Sequence, residues 1–140
     1  MVLSLQSRGY HNQNLVNPTH VAPHVLNALK LAVGMGLHLP IIYNSGGCDS
    51  VENLKLLDGI IDIYIPDMKY SNEKTAAHFS GTENYPAVNR AAVKEMHRQV
   101  GDLKIGKRHI AQRGLLVRHL VLPNRLTGTG EVYVFWHRRS

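Results

Sequence analysis

The sequence predicts an α/β fold built around a parallel sheet. Apolar runs of strand length alternate with helical patterns along the chain, and that order is typical of strands joined by crossover connections. Residues 60–68, IIDIYIPDM, are rich in β-branched side chains, as expected of a strand buried on both faces. Residues 87–100 carry apolar side chains four positions apart, the spacing of one helix face.

Length and composition limit the class of protein. The 140 residues suit a single domain, and a hydrophobic fraction of 44% is enough for a core. The single cysteine, Cys48, excludes an internal disulfide framework and any CxxC metal knuckle. No apolar run is long enough to span a bilayer, and the first residues lack the pattern of a signal peptide, so we expect a cytoplasmic protein without membrane contact.

The charge permits anionic partners but does not indicate nucleic acid. The net charge is +6 and the pI is about 9.7. The basic residues are dispersed, and the aromatic residues, 6% of the chain, do not interleave with them. A nucleic-acid surface typically combines a basic face with stacking aromatic rings, so we expect no nucleic-acid partner.

The elements can be predicted in order from periodicity and turn chemistry. Gly9 ends the first helix, either Asp49 or Ser50 caps the third, and Ser71 caps the fourth. A small hairpin around Gly106 is expected within residues 103–110. The predicted strands are residues 11–16, 39–43, 60–68 and 115–122, and the predicted helices are 1–8, 21–35, 51–57, 72–79 and 87–100, with a further element beginning at 128–136.

Polar side chains recur where each predicted strand ends. Asn17 and Thr19 follow the first strand, Asn44 and Ser45 the second, Asp67 and Lys69 end the third, and residues 118–124 end the fourth. Right-handed crossovers place all these ends on one side, where parallel α/β folds carry their active sites. Strand alternation also puts Asp67 and Lys69 on one face, so they form either a salt bridge at the rim or part of a site.

Four segments carry a resemblance to a known family. They are LVNPTH, LPIIYNSGGCDSVENLKLLDGIIDIYIPDMKY, AAVKEMHRQVGDL and RGLLVRHLVLP, which together run from about Leu3 to about Gly130. In these segments the chain resembles the radical S-adenosylmethionine (SAM) proteins similar to pyruvate formate-lyase activating enzyme. The resemblance implies a partial parallel β/α barrel of TIM type, here with about four strands and intervening helices.

The resemblance also implies cofactors, an activity and partners. Family members hold a [4Fe–4S] cluster on a CxxxCxxC loop, bind SAM at its open iron, and generate a 5′-deoxyadenosyl radical. The radical abstracts hydrogen from a glycyl radical enzyme partner or from a small-molecule substrate. The chain would then belong to a SAM-dependent oxidoreductase of the activating-enzyme type.

Six positions match the family's SAM-binding rim. Asp67 and Lys69 match an Asp-x-Lys strand end that relatives use around the SAM methionyl group and a nearby monovalent cation. Asn44 and Ser45 match the preceding polar loop, and Arg118 and His119 match a later strand facing the nucleoside. Alternation lets at most one of Arg118 and His119 face the barrel interior, and we expect it to be His119.

The sequence departs from the family at both ends. The CxxxCxxC loop is absent, and Cys48 alone cannot supply the thiolates that a cluster requires. Residues 131–140 diverge from the family pattern. We therefore interpret residues 1–130 as the middle of a radical SAM barrel, from a truncated gene or a shifted reading frame, and expect the isolated chain to be inactive. The open edges of a partial sheet also predict association or low solubility, which sedimentation can test.

Other site types fit the sequence less well. The alternative in another functional class is a cluster-free α/β module that binds a nucleoside or anionic ligand without catalysis. His20 and His24 lack a third metal ligand, and the loop at residues 44–47 lacks the Lys-Ser/Thr pair of a P-loop. Cys48 has no identifiable activating partner, which favours a space-filling role for its side chain.

Overall fold

A computed structural model describes residues 2–138 and shows an α/β fold with a mostly parallel sheet. The strands are β1 (Gln13–Val16), β2 (Ile41–Ser45), β3 (Ile63–Met68), β4 (Lys104–Ile105), β5 (Ala111–Leu115) and β6 (Arg118–His119). The helices are α1 (Val2–Ser7), α2 (Ala22–Gly34), α3 (Val51–Lys55), α4 (Glu73–Ser80), α5 (Tyr85–Val100) and α6 (Thr129–His137). Short 3₁₀ helices span Pro18–Val21 and Pro123–Arg125.

The sheet is open in the described part of the chain. β1, β2 and β3 lie side by side and parallel, β5 and β6 both pair in parallel with β3, and β4 pairs antiparallel with β5. The strand order β1-β2-β3-β5-β4 leaves β1 at one edge and β4 at the other. The α/β class is confirmed, whereas closure into a barrel is not seen between residues 2 and 138.

Pro66 explains why the fourth parallel strand is split into β5 and β6. The amides of Gly114 and Leu116 donate to the carbonyls of Asp62 and Tyr64, so alternate residues of β3 bond toward this neighbour. Pro66 is the next residue in that series, and it has no N–H to donate. The ladder therefore lapses after Leu115 and resumes where Asp67 and Arg118 are register partners.

The two faces of the sheet differ. On one face Tyr43, Tyr64 and Leu115 are register neighbours, and all three are buried in a core shared with α2, α3 and α5. We call the other face, which carries Val16, Asn44, Ile65, Asp67 and Arg118, the open face. Ile42 and Ile63 are buried toward its amino end, whereas Val16 is 66% exposed near its carboxyl end.

Most of the predicted elements form, with boundaries displaced by a few residues. A hairpin forms from β4 and β5, but its second strand lies beyond the predicted range of residues 103–110. Ser50 rather than Asp49 caps α3 by accepting from the amide of Asn53. The predicted Ser71 cap of α4 is wrong, because the side chain of Asn72 accepts from the amide of Thr75. The element predicted from residue 128 is α6, whose Val132 is buried in the core.

Exposed apolar side chains lie at the β1 edge and along α2. Besides Val16, the side chains of Leu31, Val33 and Met35 are exposed. Apolar patches and unpaired strand edges favour association, and sedimentation of the whole chain tests that prediction. None of the helices between residues 2 and 138 is long and apolar enough to cross a membrane.

Candidate functional site

Three charged side chains meet where β3 and β6 end. Arg118 donates from Nε to Oδ1 of Asp67 at 2.8 Å, and its Nη2 lies 2.8 Å from the same oxygen. Nζ of Lys69 lies 3.7 Å from Oδ2 of the same carboxylate. The register pairs Asp67 with Arg118 across the two strands, so both side chains lie on the open face. The result is one carboxylate between two cations at the carboxyl end of a parallel sheet.

Asn44 and Ser45 are separated by strand alternation. Asn44 pairs with Ile65, which places its side chain on the open face along with Asp67. Ser45 pairs with Pro66 and is buried on the opposite side, where its hydroxyl donates to Oδ2 of Asp49 at 2.7 Å. Of the two predicted residues, only Asn44 is positioned to meet a ligand beside Asp67.

His119 was expected to face the barrel interior, but no barrel closes between residues 2 and 138, and Arg118 rather than His119 shares the open face with Asp67. The register pairs His119 with Met68, on the helix-covered face, where its Nδ1 meets the carbonyl oxygen of Met68. Its Nε2 lies 2.9 Å from the hydroxyl of Thr129 in α6. Since a carbonyl oxygen only accepts, Nδ1 carries a proton, and in the neutral ring Nε2 accepts from Thr129. His119 therefore ties the end of β3 to α6.

A buried carboxylate organises the loop after β2. Asp49 is 1% exposed. Its Oδ1 accepts from the hydroxyls of Thr19 at 2.6 Å and Tyr43 at 2.9 Å, and its Oδ2 accepts from Ser45. Burial raises the pKa of the Tyr43 hydroxyl well above its usual range, so this group remains a donor. The three hydroxyls satisfy the carboxylate and hold the loop against β1 and β2.

Helix α5 fastens the same loop to the end of β3. The side-chain Nδ2 of Asn89 donates to the carbonyl oxygens of Gly47 at 2.9 Å and Asp67 at 2.7 Å. The hydroxyl of Tyr85 accepts from the amide of Lys69 at 3.0 Å, and its one proton faces the carbonyls of Asp67 and Gly46. Burial raises the pKa of Tyr85, which keeps that proton in place.

Only glycine fits at position 47. Its φ is +76°, and a Cβ there would clash with the carbonyl oxygen of Asp67 and with the side-chain amide of Asn89. The loop therefore lies directly against the strand end, beside Lys69, whose Nζ would be 3.9 Å from a Cβ on Gly46. The backbone on both sides of the charged cluster is thus fixed by α5.

This arrangement suits a small polar ligand but not an iron–sulfur cluster. Two cations and a carboxylate can pair with a zwitterion or with hydroxyl groups. Cys48 is the chain's one thiol, and the described residues contain no group of three or more His, Cys, Asp or Glu positioned to hold a metal ion. A monovalent cation at Asp67 would have to displace Lys69 or Arg118 from the carboxylate.

The sequence pattern only weakly indicated the residues that support the site, which are Asp49, Tyr85 and Asn89. Asn89 lies on the buried face of an amphipathic helix, and a polar residue on an apolar stripe is a usable signal. Asp49 read equally well as a helix cap, and nothing in its neighbours distinguished burial from capping. Tyr85 precedes a proline at the start of α5, ahead of the helix predicted from residue 87.

The amino-acid sequence is similar to that of one known protein described below. An uncharacterized protein of Methanocaldococcus jannaschii is 30% identical to this chain over 104 residues, which make up 74% of the chain and 27% of that protein. The chain thus spans about a quarter of the relative's length. No family model matches the chain. No solved structure matches it either.

Proposed function

We propose that this chain forms the middle of a radical SAM barrel and that its open face binds SAM. The observation that carries the proposal is the Asp67 carboxylate, held between Arg118 and Lys69 on the open face at the strand ends. The methionyl end of SAM carries a carboxylate and an ammonium, and its ribose carries hydroxyls. The three side chains supply a partner for each of these groups.

Each rim residue then has a role that its position allows. Arg118 and Lys69 would bind the methionyl carboxylate, and Asp67 would accept from the ammonium or from a ribose hydroxyl. Asn44 would add an amide on the same face. Ser45 and His119 would position the site and would not contact the ligand. Ser45 bonds to Asp49, and His119 joins Met68 to Thr129.

A [4Fe–4S] cluster does not fit the residues of this chain. A [4Fe–4S] cluster needs thiolate ligands that a single cysteine cannot supply. We therefore propose that the chain by itself binds SAM without cleaving it, and that radical generation and a glycyl radical or small-molecule partner belong to an assembly that holds a cluster. Anaerobic incubation with iron, sulfide and SAM should yield no 5′-deoxyadenosine above background. Clear formation of that product would contradict the proposal.

Calorimetry with SAM tests the binding. The wild-type chain should bind SAM, and Asp67→Ala or Lys69→Ala should weaken the affinity about tenfold, since a hydrogen bond to a charged group contributes about 1.5–3 kcal/mol. Glu83→Ala removes an exposed carboxylate outside the site and is the matched control, with no change expected. Absence of binding, or equal affinity in all four proteins, would overturn the assignment.

A second candidate is a cluster-free module for a nucleoside or anionic ligand. The lack of cluster thiols and the excess of cations over carboxylates at the rim favour it. Titrations with adenosine and with methionine separate the two functions. A SAM site should bind the intact cofactor better than either fragment, whereas a nucleoside site should bind adenosine as tightly as SAM.

A further inference from the structure

A charged cavity lies between α5 and α6, on the helix side of the sheet. Its volume is about 550 Å³, within the range of small-molecule sites. Arg90 and Lys94 of α5 line one wall, and Arg138 follows α6. Val134 and Phe135 supply an apolar wall. None of these residues takes part in the rim around Asp67.

Two of the cations are brought together on one aromatic ring. The guanidinium carbon of Arg90 lies 5.4 Å, and Nζ of Lys94 lies 5.7 Å, from the centroid of Phe135. Both are within the distance at which a ring attracts a cation. Arg90 is further fixed by donating to the carbonyl oxygen of Ser71 at 3.3 Å. Arg90 and Lys94 are therefore positioned by contacts that do not neutralise their positive charges.

No carboxylate neutralises this cluster in the described residues. Of the acidic side chains there, none lies within 4.0 Å of the charged groups of Arg90, Lys94 or Arg138. Glu131 lines the cavity, but its Oε2 lies 2.9 Å from the position of a Cβ on Gly128, which directs the carboxylate toward the start of α6. Three cations around one cavity produce a local field that attracts anions.

The start of α6 borders the same cavity. Gly128 is the N-cap residue and has no side chain to accept from the first-turn amides. Gly130 and Glu131, in that first turn, line the cavity. Arg and Lys side chains are the usual partners of phosphate oxygens.

We infer that the cavity between α5 and α6 binds a small phosphate-bearing ligand through Arg90, Lys94 and Arg138. This inference does not depend on SAM binding, because no residue is shared between the two sites. The phosphate could be inorganic or part of a nucleotide. In the nucleotide case, the base would lie against Val134 and Phe135.

Calorimetry at low ionic strength tests the site with pyrophosphate and with ADP as separate probes. Both should bind the wild-type chain, and the double variant Lys94→Gln with Arg138→Gln should weaken each affinity at least tenfold. The control, Lys74→Gln with Lys104→Gln, removes the same charge from exposed positions outside the cavity. Tighter binding of ADP than of pyrophosphate would identify a nucleotide, and equal binding would identify the phosphate group alone.

Two results would overturn the inference. One is no measurable heat with either probe. The other is an equal loss of affinity in the variant and the control, which would show that only net charge matters. Thermal melting of both double variants should match the wild type, and Asp67→Ala should leave pyrophosphate binding unchanged. A parallel loss in Asp67→Ala would place the phosphate at the rim instead.

Discussion

The two faces of the sheet have different roles, although neighbouring residues of the same strands supply both. On the helix-covered face Tyr64 is 0% exposed, and its hydroxyl donates to Gln99 at 2.7 Å. One residue further in register, on the open face, Leu116 is 46% exposed, and Asp67 and Arg118 follow it. One face therefore holds the fold together, and the other leaves charged groups accessible to a ligand.

The difference shows that stability and binding can be separated in this fold. Side chains on the covered face touch helices all round, so their loss leaves a cavity. Side chains near the carboxyl end of the open face touch water, and truncating them removes little packing. Substitutions that alter one face should therefore leave the function of the other nearly intact.

Truncation of the covered face should give the largest effect. Tyr64→Ala should destabilise the chain by about 4 kcal/mol, because it removes a buried ring and its hydrogen bond to Gln99. Leu116→Ala, on the open face, should cost under about 1 kcal/mol. Urea unfolding measures both. If Tyr64→Ala does not fold, Tyr64→Phe should still lower the free energy of unfolding by about 1 kcal/mol. Equal losses of stability from substitutions on the two faces would contradict the comparison.

Removal of the buried carboxylate should come next. Asp49→Ala should cost about 3 kcal/mol, because the hydroxyls of Thr19, Tyr43 and Ser45 lose their shared acceptor. Glu83→Ala, an exposed carboxylate, should be neutral within about 0.5 kcal/mol. A neutral result for Asp49→Ala would mean that the loop after β2 is held by Asn89 and Tyr85 alone.

The smallest effect concerns pH and Glu95, which is 8% exposed on α5. Hydrogen bonds from Arg98 lower the pKa of this carboxyl from 4.5 to about 2, and Gln99 adds to the effect. Because the folded pKa is below the unfolded value, this stability is present above pH 4.5 and is lost as the pH falls toward 2. It should amount to about 1–3 kcal/mol.

Urea unfolding of the wild type and of Glu95→Gln at pH 7 and pH 3 measures that contribution. The wild type should lose more stability between the two pH values than the variant, because the other carboxyl groups titrate alike in both. Equal losses would show that Arg98, whose side chain is 56% exposed, does not hold the Glu95 carboxylate charged.

The covered face could be predicted from the sequence to a greater extent than the open face. Residues 87–100 and 60–68 carry periodic apolar patterns, and both became the elements that build the core. The predicted start of the fourth strand was too late, because AQRGL has little apolar character and forms β5 by pairing with β3 and β4. The lapse at Pro66 followed from one missing N–H, a feature that was visible in the sequence.

The candidate site could be predicted only in part. Asp67 and Lys69 lie side by side, as alternation along one strand required. The sequence did not indicate that Arg118 would lie beside Asp67, because this depends on the register between residues that are 51 positions apart in the sequence. The roles of Asp49, Asn89 and Tyr85 were not predicted, because their partners lie on other elements.

By itself, the sequence determined the α/β class, the order of strands and helices, and the gathering of polar residues at the carboxyl ends of the strands. These properties depend on local periodicity and on the handedness of crossovers, which act within a few tens of residues. Only the tertiary structure decided that Arg118 joins Lys69 at the Asp67 carboxylate, that Asp49 is the buried carboxylate, and that Phe135 of α6 lies against Arg90 and Lys94. Those outcomes depend on strand register and helix packing, which short-range patterns do not encode.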